Sequence, residues 1–156
     1  MITIDIPGFG TLRLTHLILD FNGTLAVDGR ILPGIATRMA ALANDLNLHV
    51  VTGNTHGDAQ DQLRDCAAEV VCLAATGQAQ AKRDYALSLG QSGVVAIGNG
   101  RNDALMLKQS ALGIAVLGTE GLAADALAAA DIVVRHAEEG LDLLLKPKRL
   151  IATLRA

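Results

Sequence analysis

Aromatic residues are scarce in this chain of 156 residues: Phe9, Phe21 and Tyr85 are the full set, and Trp is absent. A stacking platform for unpaired bases is thereby excluded, because such surfaces need several aromatic faces along a basic groove. The core has to be built from Leu, Ala, Val and Ile instead. An excess of one charge is also missing. Thirteen Lys and Arg against sixteen Asp and Glu leave −3 at pH 7, with no like-charged block, which argues against nucleic-acid and membrane-surface partners. Cysteine is limited to Cys66 and Cys72. Their spacing matches neither a zinc site nor a redox site, and one pair is no disulfide framework. No run approaches the roughly 20 apolar residues of a spanning helix, and the first residues show no basic segment leading into an apolar one. The expected location is cytoplasmic.

What is present points to a compact fold. Hydrophobic residues make up 51% and charged ones 19%, too apolar for a disordered chain, and the length suits a single domain over 1–156. Residues 1–14 alternate apolar and polar on both sides of Pro7-Gly8-Phe9-Gly10, the pattern of an N-terminal β-hairpin. Six short apolar runs follow at 16–19, 48–51, 70–73, 94–97, 114–117 and 132–134, as strands buried on both faces require. Between them apolar residues fall at helical steps: Ile35, Met39, Leu42 and Leu46, then Leu105, Leu107 and Leu112 less regularly. Residues 25–32 are expected to form a short flap turning at Asp28-Gly29, 123–130 a small alanine-rich helix, and 141–156 a C-terminal helical segment. Strand and helix in strict alternation predict an α/β fold, a doubly wound parallel sheet whose ligands bind at the carboxyl ends of the strands.

The residues after those strands are the ones to inspect. They are Asp20-Phe21-Asn22-Gly23-Thr24-Leu25, Thr52-Gly53-Asn54-Thr55 and Gly98-Asn99-Gly100-Arg101-Asn102-Asp103, loops rich in glycine and oxygen ligands of the kind that bring backbone N–H groups to an anion. A carboxylate in the position of Asp20 can attack phosphorus or hold a metal. Thr52 offers a hydroxyl, and Gly53 an unobstructed N–H, to phosphate oxygens. Asp103, with Asn99 and Asn102, supplies hard oxygen donors that suit Mg²⁺ and serve zinc badly. Lys82 stands near an expected helix start; a helix lysine taken alone is more often solvated than functional. The loop at 98–103 half-matches a dinucleotide-binding turn, but Asp103 in place of the third glycine opposes a pyrophosphate. His16, His49, His56 and His136 show no ligand-like i, i+4 pairing. His56 is expected at the surface, and none is assigned to catalysis.

In four ordered motifs from Asp20 to Asp103 the chain resembles the haloacid dehalogenase (HAD) superfamily of phosphohydrolases. Asp20-Phe-Asn-Gly-Thr-Leu is similar to the first motif, Thr52 to the second, Lys82 to the third, and Gly98-Asn-Gly-Arg-Asn-Asp to the fourth. Within the superfamily the pattern is similar to the phosphorylation domain of cation-pumping P-type ATPases, above all to the stand-alone proteins called soluble P-type ATPases. The resemblance implies a HAD-like Rossmannoid sheet and an aspartyl-phosphate formed on Asp20. It also implies phosphate oxygens held by Thr52 and Lys82, with Gly23, Thr24 and Gly53 completing the cradle. Mg²⁺ would be held by Asp20, Asn99, Asp103 and the backbone carbonyl of Asn22, with Gly98, Gly100 and Asn102 in support.

Two departures from the family pattern bear on activity. Phosphatases of the superfamily carry a second Asp two residues after the nucleophile, which protonates the leaving group and then activates water. Here that residue is Asn22, and an amide does neither, so turnover should be slow. Asn99 stands where the family usually has a metal-binding Asp, which should weaken metal affinity. Only 31 residues separate Asp20 from Thr52, and 29 separate Thr52 from Lys82. Neither interval holds a cap domain. The phosphorylated substrate is therefore expected to be large, or covered in place by a neighbouring copy of the chain. The competing expectation is a non-catalytic phosphate-binding or interaction module on the same scaffold. The hairpin, with Phe9 at its tip, and the basic stretch near the C-terminus are expected to serve as a sheet extension and a solvated terminal helix, with oligomer contact as their other use.

Overall fold

The computed structural model describes residues 1–53 and 58–156. Strands β1 (Ile2–Ile6) and β2 (Gly10–Leu14) pair antiparallel, with Ile4 opposite Leu12. Their period of two points Ile4, Ile6, Leu12 and Leu14 inward, while Thr3, Asp5, Thr11 and Arg13 stay exposed. The expected N-terminal hairpin is thus present, as a two-stranded sheet of its own.

β3 (His16–Asp20) then enters the centre of the molecule. After it, β4 (Ala26–Val27) and β5 (Arg30–Ile31) make a miniature hairpin. Its turn has positive φ at both central residues, 50° at Asp28 and 73° at Gly29, the backbone that suits the twist of a two-residue hairpin loop. The chain continues through α1 (Ile35–Leu42), β6 (Asn47–Thr52), α2 (Asp58–Gln62), β7 (Ala68–Cys72), α3 (Gln78–Ser88), β8 (Val94–Gly98), α4 (Ala104–Gln109), β9 (Leu112–Val116), α5 (Ala124–Ala129), β10 (Ile132–Val134), α6 (Ala137–Leu145) and α7 (Pro147–Leu154).

Six of these strands form one parallel sheet in the order β10-β9-β8-β3-β6-β7. From β3 the chain steps outward through β6 to β7, crosses back, and steps outward on the other side through β8, β9 and β10. This is the doubly wound path, and its direction reverses between β3 and β8, where the loops after adjacent strands part and leave a crevice.

The two faces of the sheet are packed differently. Leu17 and Leu19 of β3 join Leu48, Val50, Val95, Ile97 and Ile114 beneath α1, α6, α7 and the hairpin, in a core of large aliphatic side chains. Ile18 points the other way, with Val51, Ala96 and Ala115, toward Ala86, Met106, Leu107 and Ala126 of α3, α4 and α5. The smaller residues bring those helices close to the sheet: a Cβ on Gly113 would stand 2.7 Å from the carbonyl oxygen of Leu107. The core strand β3 tolerates no gap, since Leu17, Ile18 and Leu19 are fully buried.

Two sequence expectations need correction. Leu112 opens β9 and is not helical, because α4 stops at Gln109 and buries Met106 and Leu107 as neighbours. Leu46 lies beyond α1 and is buried from the turn that leads into β6. Among the described residues, only the small β4–β5 hairpin and α1 stand between β3 and β6, and only α2 and β7 between β6 and α3. No cap domain is present there. No helix among the described residues is long and apolar enough to cross a membrane.

Candidate active site

The sheet delivers the three loops to one edge. Asp20 is the last residue of β3, Thr52 the last of β6 and Gly98 the last of β8, so the loops that follow emerge at the carboxyl ends of three adjacent central strands. α3 brings in Lys82, whose long side chain is entirely buried. Taken alone it reads as a solvated helix lysine, and the motif pattern draws it to the site; it forms the centre of the buried cluster. Its ammonium donates to Asp20 Oδ1 at 2.6 Å and to Asp103 Oδ1 at 2.6 Å.

The two carboxylates are otherwise held by different donors. Asp103 is fully buried, and its second oxygen accepts the backbone N–H groups of Asn99 at 3.1 Å and Gly100 at 2.8 Å. A Cβ on Gly98 would stand 2.6 Å from the Asp103 carboxyl carbon, so glycine at 98 is what lets that side chain fold back over the strand end. Asp20 has the hydroxyl of Thr24 on its second oxygen, at 3.0 Å. Thr24 also faces Asn99 Oδ1 at 3.2 Å, while the Asn99 amide donates to the carbonyl of Gly121 at 2.9 Å. Both ends of Asn99 are thus engaged within the protein, tying the loop after β3 to the loop after β9. Gly23 makes this approach possible: its φ is 80°, and a Cβ there would stand 2.5 Å from the Asn99 amide nitrogen.

The electrostatics follow from the count of charges. One buried ammonium faces two carboxylates, leaving a net negative charge in a water-poor site. Burial pushes the Asp20 carboxyl up to about 6, Asp103 pushes in the same direction, and Lys82 and Thr24 oppose them. Burial acts to lower the Lys82 pKa, but Asp20 and Asp103 outweigh it and hold the ammonium protonated, above its ordinary range.

The remaining motif residues surround this cluster. Thr52 is buried, and its carbonyl accepts the N–H of Leu73 at 2.8 Å. Asn22 is exposed beside Asp20, and a bridge joins it to Ala26. Asn102 donates its amide to Gln78 Oε1 at 2.9 Å. Gln78 is a residue that sequence reasoning missed. Its side chain closes over Gly53 so tightly that a Cβ there would stand 2.1 Å from Gln78 Nε2. The available signal was position, for Gln78 opens α3 one helical turn before Lys82 and so shares its face. His56, expected at the surface, lies outside the described residues.

A second polar cluster, also unexpected from the sequence, sits at the opposite end of β3. His16 Nδ1 lies 3.0 Å from His49 Nε2, and Tyr85 Oη lies 2.9 Å from His49 Nδ1. Burial lowers the pKa of His49, and His16 adds to the effect. These residues are far apart in sequence and meet because β3 pairs with β6 and α3 brings Tyr85 to His49.

Asp20 and Asp103 offer hard, anionic oxygens on a site with one negative charge in excess, a donor set that fits a divalent cation of the Mg²⁺ type. Among the described residues there is no group of three or more His, Cys, Asp and Glu side chains placed to hold a metal, so such an ion would rely on backbone carbonyl and water oxygens as well.

Comparison with known proteins bears on the fold. No protein-family model matches the chain. Over 146 residues, 92% of the chain, it is 30% identical to a copper-exporting P-type ATPase of Staphylococcus saprophyticus, and it spans only 17% of that pump's length. Over 62 residues, 40% of the chain, it is 50% identical to an uncharacterised protein of Methanocaldococcus jannaschii, 67% of which is covered. Among solved structures, the 3-deoxy-D-manno-octulosonate 8-phosphate phosphatase of Moraxella catarrhalis, in complex with magnesium, phosphate and a sugar acid, superimposes with a TM-score of 0.68. The match covers 91% of this chain and 94% of that one at 18% identity. The cobalt-bound octulosonate 8-phosphate phosphatase of Haemophilus influenzae gives 0.70, over 92% and 94%, at 14% identity. The chain has the haloacid dehalogenase fold. In this HAD-like frame Asp20 ends β3, Thr52 ends β6, Lys82 lies in α3 and Asp103 follows β8, and the frame has no cap among its described residues.

Proposed function

We propose that the chain is a divalent-metal-dependent phosphohydrolase or phosphotransferase that works through an aspartyl-phosphate on Asp20, with slow turnover. The observation that carries this reading is the placement of Asp20. It is a nearly buried carboxylate at the switch point of a HAD-like sheet, with one oxygen on Lys82 and the other on Thr24. Phosphoryl transfer asks mainly for positioning and for neutralisation of charge on the transferred group, and these residues offer both.

In the first step an Asp20 oxygen attacks phosphorus, the bond to the leaving oxygen breaks, and its electron pair departs with the alkoxide. Lys82 neutralises charge on Asp20 and on the phosphoryl oxygens, while Thr52 and the N–H of Gly53 orient the group. A divalent cation held by Asp20, Asp103 and the Asn22 carbonyl would supply further neutralisation of the phosphoryl oxygens. Asn99 spends its amide on Gly121 and Thr24, which supports a positioning role for it. The leaving oxygen needs a proton and the second step needs a base, and Asn22 provides neither. General acid–base catalysis is typically worth about 10² to 10⁴ in rate, so the phosphoenzyme should persist. The magnesium- and phosphate-bound phosphatase on the same fold supports Mg²⁺ as the metal and a phosphorylated compound as substrate.

A non-catalytic phosphate-binding module is favoured by one specific observation, the amide at Asn22. The deciding experiment is intact-protein mass after incubation with acetyl phosphate and Mg²⁺ under acidic quench. The expected result is a gain of about 80 Da, one phosphoryl group, in the parent and not in Asp20→Asn. Phosphate and Mg²⁺ bound without any adduct or phosphate release would replace the enzyme by the binding module.

A further inference from the structure

The polar cluster at the end of β3 away from Asp20 has no part in the chemistry above. By the period of two along their strands, His16 and His49 share the sheet face of Ile18 and Val51, which α3 covers. Their rings stand 5.2 Å apart, tilted by 36°, with His16 Nδ1 3.0 Å from His49 Nε2. At its other nitrogen, Nδ1, His49 meets Tyr85 Oη of α3 at 2.9 Å and the Glu69 carboxylate of β7 at 3.3 Å. Tyr85 is hydrogen-bonded to Glu69 as well. On the remaining side β8 sets only apolar Val94 opposite His16. Side chains of β3, β7 and α3 thus converge on one imidazole of β6, and that imidazole is 5% exposed.

These neighbours fix where the protons sit. An ionised Glu69 only accepts, so His49 carries its hydrogen on Nδ1 and presents a lone pair at Nε2. His16 then donates from its own Nδ1. The network accommodates a charge on His16, because a charged ring keeps that N–H. It has no place for a second charge. A proton on His49 Nε2 would set two N–H groups head to head across 3.0 Å, with two positive rings side by side. Burial and His16 both lower the His49 pKa, and Glu69 pulls the other way. The Glu69 side chain is 65% exposed, so solvent screens its pull.

We propose that His16, His49, Glu69 and Tyr85 form an acid-sensitive latch, which fastens α3 to β3, β6 and β7 while no more than one of the two rings is charged and opens when both are. Tyr85 lies three residues beyond Lys82 on the same helix, so the latch and the Lys82 ammonium pin α3 at opposite ends of β3. Acid therefore loosens the helix that carries Lys82 through a contact separate from the carboxylates. The latch stands whether or not Asp20 accepts a phosphoryl group. Because the folded-state pKa of His49 lies below its ordinary 6.5, the folded protein binds that proton less tightly than the unfolded chain. The latch's contribution to stability is present above 6.5 and is lost as pH falls below it. Asp20, whose pKa is raised, acts in the opposite direction, so each comparison sets the parent against a variant that keeps Asp20.

The deciding measurement is the proton NMR titration of His49 in metal-free protein, with its ring signals assigned by their loss in His49→Gln. In the parent His49 should titrate below 6.5. His16→Asn places an amide atom where Nδ1 stood, and an amide can turn to donate to a neutral ring or to accept from a charged one. His49 should then titrate at a pH about 0.5 or more higher, about a threefold gain in proton affinity. Between about pH 7.5 and about pH 5 the urea midpoint of the parent should fall by more than that of His16→Asn. Native-state hydrogen exchange reads the link to the helix. Over the same range the α3 amides of the parent should lose about tenfold more protection than those of β9, and this excess should shrink in His16→Asn. Tyr85→Phe, which cuts the latch from α3 alone, should weaken α3 protection already at pH 7.5, and it serves as the test if His16→Asn does not fold. A parent His49 that titrates at 6.5 or above, or at the same pH as in His16→Asn, overturns the latch. So does an α3 whose protection follows that of β9 across the range, or one that Tyr85→Phe leaves unchanged.

Discussion

The loop after β3 and the loop after β8 each place an aspartate 2.6 Å from the same buried ammonium, yet the two carboxylates end in different states. Asp103 has Lys82 on one oxygen and two backbone N–H groups on the other. Asp20 has Lys82 and a single hydroxyl shared with Asn99. One ammonium neutralises one carboxylate, and the better-served residue is the more firmly anchored. The remaining negative charge is therefore felt at Asp20, whose carboxyl is pushed up to about 6 by burial and by Asp103. The difference teaches that donor supply separates an anchor from a reactive group built of the same side chain.

Removing the shared cation should break the comparison most severely. Lys82→Met leaves two buried carboxylates without a counter-charge, and the expected loss is about 3–5 kcal/mol in urea unfolding at pH 7. A loss below about 1 kcal/mol would mean that the ammonium is not the centre of the cluster. Adding Asp20→Asn to that variant should recover part of the loss.

The two aspartates should then part company. Asp103→Asn takes the charge from an acceptor of two backbone N–H groups and should cost about 1.5–3 kcal/mol. In metal-free buffer Asp20→Asn should leave stability at pH 7 unchanged or raised, because it removes the excess charge. Equal losses for both would erase the distinction drawn here.

Acidity sharpens the same point. The folded-state pKa of Asp20, about 6, lies above its ordinary 3.8, so the folded protein binds that proton more tightly than the unfolded chain. Its contribution to stability is present in full below about pH 4 and is lost as pH rises through 6. With chelator present, the urea midpoint of the parent should therefore fall between pH 4 and pH 7 by more than that of Asp20→Asn. Parallel profiles would place the excess charge elsewhere.

The smallest effect concerns turnover alone. Asn22→Asp restores a carboxyl group two residues after the nucleophile and should raise phosphate release at least tenfold, about 1.4 kcal/mol of barrier. The lifetime of the mass adduct should shorten in proportion. A variant no faster than the parent would remove the missing carboxyl as the cause of slow turnover.

Much of this was legible in the chain. The short apolar runs are strands because a strand buried on both faces must be apolar throughout, and the glycine- and oxygen-rich segments fall at strand ends because a doubly wound sheet turns there. Helix ends were read less well. Leu112 looked helical because periodicity cannot separate a short buried strand from the end of a helix, and α4 proved to be only six residues long. Lys82 was legible only through its place among the four motifs, because nothing local distinguishes it from a surface lysine. Gln78 carried no motif, and its importance lies in what it faces.

The sequence by itself determined the α/β class, the hairpin, the order of the strands along the chain and the chemical character of each loop, since these follow from local periodicity and residue type. Tertiary structure alone decided that Lys82 is buried between two carboxylates, that Asn99 is spent on Thr24 and Gly121, and that Gln78 closes over Gly53. Those are outcomes of strand order and helix docking, which bring together residues dozens of positions apart and set their burial, and burial determines what a charge is worth.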